Sequence, residues 1–449
     1  MDAERSGARV AVVGGGWSGI AAAWNLHRAG ARPVLFDEQP VLGGRSAAAP
    51  LGSREVTLGG KNIGRTHLLF REFVRAQGIP ESAFEHFGIN SSRVEDGRVR
   101  TVDTTSKAAS LYGLLRGVPP RDLVRLLRLA RYTRRARANR FLAGPDFQRL
   151  ADRTGDPSLA AYFGKRLRDR LIRPALIRMN GAEPDEAYLG NFGTNLGMLL
   201  DGFDQLPGGF TPLLTAFSAA VETRGGTRVT GLRVAEGRVT GLFTTTGEGA
   251  GAEEREESAD AVVVALPAPA AAALVAPHHA GLAERLREVR YFPVSVVIAA
   301  YDRPVFDERV RALTFPPESP LSNAGAYGVS DRHLVRYTFS GRAARDLPAD
   351  EEYLIGLAEK ELGAHLDLGS VRRTGLVCAR WEHGLCAYSR FHSRTLAEID
   401  AAVAALDGLA LTGDYVRGAA IEACFRGAYE RTDALLAALT SRSGRGQLP

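Results

Sequence analysis

Val10-Ala11-Val12-Val13-Gly14-Gly15-Gly16-Trp17-Ser18-Gly19 is the stretch that decides the fold. A short apolar run breaks into Gly-x-Gly-x-x-Gly and passes into an alanine-rich segment, Ile20 to Arg28. This is the strand–turn–helix opening of a unit that binds a dinucleotide diphosphate. Gly14 permits the tight turn, Gly16 lets backbone approach the pyrophosphate with no Cβ between them, and Gly19 lets the helix pack closely on the strand. The helix start, Trp17 and Ser18 onward, presents unpaired N–H groups and the positive end of the dipole to the phosphates. Asp37 closes the next apolar run, Pro33 to Phe36, where an acid accepts hydrogen bonds from ribose hydroxyls; Glu38 follows it.

Gly43-Gly44-Arg45 lies just beyond. A second glycine pair beside an arginine adds N–H donors and a guanidinium fork for the same diphosphate, which suits a flavin dinucleotide better than a nicotinamide one. Near the C-terminus, Leu409 to Thr412 reads as a strand ending in Gly413-Asp414, with a helix from about Ala419 to Leu439. The carboxylate of Asp414 is placed to meet ribityl hydroxyls or phosphate waters. A helix start near Gly418 to Glu422, including Ala420 and Ile421, offsets negative charge on a reduced flavin.

These segments together resemble the flavoprotein superfamily of amine oxidases, protoporphyrinogen oxidases and phytoene desaturases, over nearly the whole chain. Leu58-Gly59-Gly60-Lys61-Asn62-Ile63-Gly64 is similar to the flavin-contacting segment of amine oxidases, with Asn62 where an aromatic often stands. Pro207-Gly208-Gly209 matches the family's Pro-Gly-Gly before a helix, and Asp260 to Pro267 its strand ending in proline under the adenosine half. Arg380-Trp381, Tyr388 and His392 fall at the spacing seen in protoporphyrinogen oxidases, and Gly413 to Gly418 through Gly427 to Glu430 is similar to that branch. Cys386 replaces a frequent proline, Phe391 a usual glycine, and Lys61-Asn62 is polar where many relatives are apolar.

The resemblance implies FAD as the cofactor. Beyond the residues already given, it adds Gly60, Lys61, Asn62 and Ile63 beside the flavin, and Val229 and Pro267 along the adenosine half. Lys61 and Asn62 are the catalytic candidates: Lys61 would anchor an anionic substrate group, hold a water, or act as a base if desolvated. Trp381, Tyr388 and His392 are the substrate-wall candidates.

The expected fold class is α/β. A discontinuous Rossmann-like FAD-binding domain (residues 1–66, 205–290 and 406–449) stands beside a substrate-binding domain of mixed sheet and helices (67–204 and 291–405). Residues 67–204 read as mostly helical. Strand-like runs occur at Val294–Ala300, Leu334–Thr338 and Gly375–Trp381, with a helix near Arg394–Leu406. Residues Thr227 to Thr245 alternate as short antiparallel strands around a Glu-Gly turn at 236–237; Glu248 to Glu257 reads as an acidic loop and Ser441 to Pro449 as disordered.

Composition narrows the function. Three cysteines in no CxxC pair argue for reduced packing thiols and a cytoplasmic setting, and nine histidines show no ligand spacing, so no metal is expected. No run is long enough to span a membrane, and no secretory signal opens the chain. Net charge is +6, and the basic residues peak in Arg116 to Arg140, with nine arginines. Within this 121–140 region, Leu123, Leu126, Leu127 and Ala130 are expected on one helical face with arginines opposite. Such a helix docks peripherally on an anionic membrane or is an ordinary solvated surface, the plainer reading. No aromatic stacking surface accompanies the charge, which argues against nucleic acid. No second Gly-x-Gly-x-x-Gly follows a strand, so a built-in NADPH domain is unsupported.

The expected activity is FAD-dependent dehydrogenation of a largely apolar cyclic, polyene or amine small molecule, at a C–C or C–N bond, in a biosynthetic pathway with O2 as acceptor. The competing expectation is a flavin-dependent isomerase, mutase or cyclase with no net redox change.

Overall fold

The computed structural model describes residues 7–87, 91–101, 112, 115–247, 252–308, 310–328 and 331–445. The opening strand Arg9–Val13 sits in the middle of a five-stranded sheet. Its neighbours are Arg32–Phe36, then Glu222–Arg224 on one side, and Ala261–Val264, then Leu409–Leu411 on the other, all parallel. One sheet thus draws strands from three separated stretches. Ala261, Val262, Val263 and Val264 are each fully buried. Successive side chains point to opposite faces, so a strand covered on both sides must be apolar throughout. On one face, Val10, Val12, Ala261 and Val263 pack under the helix Trp17–Arg28 and the long C-terminal helix Ile421–Arg445. On the other, Ala11, Val13, Val262 and Val264 meet the helices Ala268–Val275 and Ala280–Arg287 and a three-stranded meander. Two of the meander strands, Thr227–Ala235 and Arg238–Thr246, join through Glu236-Gly237, both at positive φ. That turn matches the right-handed twist of a hairpin.

Residues 290–387 supply five strands of a seven-stranded sheet, which Ser91–Glu95 and Arg98–Arg100 complete. Its long strand Arg290–Tyr301 pairs antiparallel with Leu334–Phe339 on one edge and Arg373–Ala387 on the other. One face (Val297, Ala299, Val335, Tyr337) is covered by the helix Glu351–Gly363. The opposite face carries Val294, Val296, Thr338 and Trp381 in register, and these side chains floor a large cavity.

Four expectations are corrected. Residues 67–204 are not all helix: Ser91–Glu95 and Arg98–Arg100 are two strands of the seven-stranded sheet, because Ser91–Arg93 pairs with Ala312–Thr314, far along the chain. Glu253–Ser258 is the third meander strand rather than loop, since it pairs with Gly241–Thr246; residues 248–251 of that expected loop lie outside the described residues. The C-terminal helix runs on through Arg445, so Ser441–Arg445 is helical, and 446–449 lie outside the described residues. The basic segment forms the helix Pro120–Arg135; Leu123, Leu126 and Ala130 pack on the core as expected, with Asp122, Leu129 and Thr133 also buried, but Leu127 is exposed.

Among the described residues, no helix is long and apolar enough to cross a membrane. Cys386 and Cys424 are buried and Cys378 is half-buried, and none is disulfide-bonded.

Candidate active site

The glycine turn after the first strand adopts the conformation its sequence demands. Gly14 has φ +105°, and a Cβ there would stand 2.7 Å from the Ala265 carbonyl oxygen. A Cβ on Gly19 would lie 1.7 Å from the Gly14 oxygen, so helix and strand touch through bare backbone. Gly16 differs: a Cβ there would meet nothing within 4 Å. The opening beside it is the space a diphosphate needs, at the helix end where the first amides lack intrahelical acceptors. The second glycine turn closes on the first. The Gly43 amide donates to the Gly15 carbonyl (2.8 Å), and a Cβ on Gly44 would stand 3.0 Å from the Gly16 Cα.

Asp37 accepts hydrogen bonds from the amides of Gly15 (2.5 Å) and Gln39 (2.7 Å), and burial still lifts its pKa above the ordinary carboxylate value. Its oxygens retain further lone pairs toward the cavity. Glu38 is solvent-exposed, 3.2 Å from Arg228, at the rim beside Val229. Pro267, Gly413, Ala420 and Ile421 line the same cavity. Arg45 reaches across it: its Nη1 is 2.8 Å from the Asp414 carboxylate and donates to the Gly384 carbonyl (2.7 Å). Asp414 also accepts the Tyr291 hydroxyl. The pair draws the C-terminal strand, the glycine-rich turn and the seven-stranded sheet to one point. Asp414→Ala would strip a buried hydroxyl and a guanidinium of their acceptor. It is expected to cost about 1–3 kcal/mol in denaturant unfolding.

These groups border one cavity of about 2140 Å³. A single small-ligand pocket runs to about 300–1,000 Å³, so there is room for a dinucleotide and a second molecule. The geometry fits FAD: glycine-bordered open space at a helix start, an acid at the end of the second strand, and an acid–arginine pair at the end of the last.

Beyond that end the cavity opens onto the sheet. Lys61 Nζ stands 3.0 Å from the centre of the Tyr327 ring, whose hydroxyl accepts from the Thr57 amide (2.6 Å). Burial, with Arg336 and Arg54 nearby and only Asp331 opposing them, lowers the Lys61 pKa to about 6. Asn62 accepts from the Gln205 side chain (2.6 Å), which fixes its amide at the cavity wall. Trp381 lies on the cavity floor, and Tyr388 borders the cavity while its hydroxyl reaches the Asp414 carbonyl at 3.4 Å.

Two sequence candidates stand elsewhere than expected. Ile63 is fully buried in the core and pairs with Asp204 in a short sheet, so it turns away from the cavity beside its neighbours. His392 lies behind the wall. It is buried, its Nε2 is 2.8 Å from the Tyr415 carbonyl, and burial lowers its pKa to about 4, leaving a neutral ring against Tyr388. Trp17 borders the cavity at the helix start as expected, and its ring packs edge-on against Phe70 and Phe210. The sequence reading also missed cavity residues: Tyr327, Arg336, Arg178, and His67, a buried histidine with pKa lowered to about 4 and Nδ1 unpartnered. None of them sits in a recognisable motif, and only the tertiary fold brings them together.

A family model described as flavin containing amine oxidoreductase matches residues 17–436. The chain belongs to that family: it is an FAD-dependent oxidase-type enzyme. Solved structures share the fold over almost their full lengths. Cyclohexylamine oxidase from Brevibacterium oxydans IH-35A is 17% identical, with a TM-score of 0.70 over 97% of this chain and 100% of that one. A putrescine oxidase triple mutant is 14% identical, with a TM-score of 0.71 over 96% and 99%. A protein assigned as a protoporphyrinogen oxidase, from Exiguobacterium sp. 255-15, is 16% identical, with a TM-score of 0.70 over 96% and 99%.

Proposed function

We propose that this enzyme dehydrogenates a small molecule with a largely apolar cyclic, polyene or amine body, oxidising a C–C or C–N bond, with O2 taking the electrons away as hydrogen peroxide. The observation that carries this reading is the single cavity. It joins the glycine-bordered space beside Gly16 to the apolar sheet face of Val294, Val296 and Trp381. FAD, when bound, supplies a two-electron acceptor. In this proposal Gly14, Gly16, Gly43 and Gly44 admit the diphosphate, Gly19 lets the helix close on the strand beside it, and Asp37 takes the ribose hydroxyls. Arg45 and Asp414 order the middle of the cofactor. The sheet face excludes water and holds a C–H bond in place. Lys61 and Asn62 stand where the two halves of the cavity meet and act on the substrate end.

The test begins with reduction of the FAD-loaded protein without oxygen, followed by air. Rapid reoxidation with one peroxide per flavin is expected. Slow reoxidation without peroxide would remove O2 as the acceptor. Anaerobic mixing with panels of cyclic amines and partly saturated ring systems then identifies which substrates bleach the flavin.

A further inference from the structure

Three basic side chains border the substrate end of the cavity, two arginines and a lysine that is charged only below about pH 6, and among the described residues none of them pairs with a carboxylate. Lys61 lies over Tyr327. Arg336, on the strand Leu334–Phe339, donates one hydrogen bond from Nη1, to the Gly59 carbonyl (2.6 Å). Arg178, on the helix Arg173–Asn180, is solvent-accessible and lines the cavity, and among the described residues no protein acceptor meets it. The three are neighbours: Arg178 depresses the pKa of Arg336, which burial has already brought to about 10, and Arg336 does the same to Lys61.

The acids nearby are engaged elsewhere. Asp331 is 2.9 Å from Arg54, Glu382 is 2.6 Å from Arg380, and Asp201 accepts the Thr66 hydroxyl at 2.6 Å. Glu308 stands in solvent, 3.9 Å from Arg332.

The arginine over the floor is held firmly. Its helix is tied at one end by the buried pair Arg173–Glu183 (2.7 and 3.0 Å). At the other end the Asn180 side chain donates to the Cys386 carbonyl (2.9 Å). Arg178 therefore hangs over the sheet from a braced helix, while the neighbouring Arg173 carries its own counter-charge. A buried cation without a counter-ion is strongly disfavoured unless something else supplies the negative charge. Two unpaired guanidinium groups beside a lysine that gains charge in mild acid, facing a cavity floored by Val294, Val296 and Trp381, describe a receptor for an apolar body that ends in an anion.

We propose that the substrate carries a carboxylate, seated among Lys61, Arg336 and Arg178 while its apolar body lies on the sheet face. This deepens the proposed dehydrogenation and rests on it. It also sets this enzyme apart from oxidases of simple cationic amines, because an ammonium group at this end of the cavity would meet the like charges of two arginines, joined by Lys61 below about pH 6. The planar forks of the two arginines suit a carboxylate bidentately.

The test uses two probes with one ring and opposite charges, cyclohexanecarboxylate and cyclohexylamine. Binding is followed by calorimetry and by the visible flavin spectrum of the FAD-loaded protein. The carboxylate is expected to bind at least about tenfold more tightly than the amine, and Arg178→Gln to weaken it about tenfold or more with FAD content unchanged. Carboxylate affinity should also strengthen as pH falls toward about 6, as Lys61 gains its proton among Arg336, Arg54, Asp331 and the Tyr327 ring. Equal or tighter amine binding, no carboxylate binding, an unaltered affinity in Arg178→Gln, or loss of FAD from that variant each overturns the proposal. If the protein takes up no FAD, the redox reading fails instead, and calorimetry on the flavin-free protein still decides the carboxylate question.

Discussion

Protein carrying Gly16→Val is expected to purify folded and without flavin colour. A Cβ at this position meets no protein atom within 4 Å, and the backbone there (φ −76°, ψ 178°) is extended, so valine is admitted without strain. As a helix N-cap, valine costs about 1 kcal/mol relative to glycine, too little to unfold a chain of this size. The side chain instead fills the space between the two glycine turns, where a diphosphate must approach the helix start. FAD affinity should fall by at least about a hundredfold, ~2.7 kcal/mol, read as flavin-to-protein ratio beside an unchanged far-ultraviolet circular dichroism spectrum. Gly19→Val makes the contrast. Its Cβ would stand 1.7 Å from the Gly14 oxygen, so helix and strand must separate and the fold itself should fail. A fully yellow Gly16→Val protein would place the diphosphate elsewhere.

The cofactor end was legible because its chemistry is local. A strand, a three-glycine turn and a helix occupy consecutive residues, and each glycine has a steric reason in the folded chain, from the positive φ of Gly14 to the contact at Gly19. Gly413-Asp414 was equally readable, because a buried parallel strand must end at the site's edge. The substrate end was not. Arg178 and Arg336 lie far apart in the chain, on a helix and a strand, and neither neighbourhood differs in type from that of Arg173, which is an ordinary buried ion pair. What separates them is the presence or absence of a carboxylate, a tertiary fact. His392 and Ile63 fail for a related reason: spacing assigns a residue to an element but leaves its facing open. A one-step error in facing turns a wall residue into a core residue. The basic helix shows the same limit. Leu127 and Leu129 are both compatible with an apolar stripe, and only the neighbours it packs against show that Leu129 is the buried one.

Lys61→Met is expected to make the protein more stable and less active. In the folded chain the Lys61 pKa is lowered to about 6, whereas in the unfolded chain it returns to the ordinary lysine value. The sign follows from proton binding. Between these two values the unfolded state holds the proton and the folded state does not, so wild-type stability rises with pH across that window. Below about 6 the folded chain must bury a charged ammonium, and the cost is complete. Methionine removes that cost while filling a similar volume, so the variant's advantage is largest in mild acid and fades as pH climbs toward the unfolded lysine value. Its size near neutral pH is expected to be about 1–4 kcal/mol, the range seen when buried charged groups give way to apolar ones. The measurement is denaturant unfolding of both proteins across pH. Activity should move the other way. Flavin reduction by substrate is expected to slow by about a hundredfold, the lower end of what a positioned proton-transfer group contributes, with FAD loading nearly unchanged. A variant that loads FAD poorly yet reduces it at the wild-type rate would move Lys61 from the substrate end to the cofactor, whereas a stability gain paired with lost turnover marks a lysine kept in an unfavourable place for its chemistry.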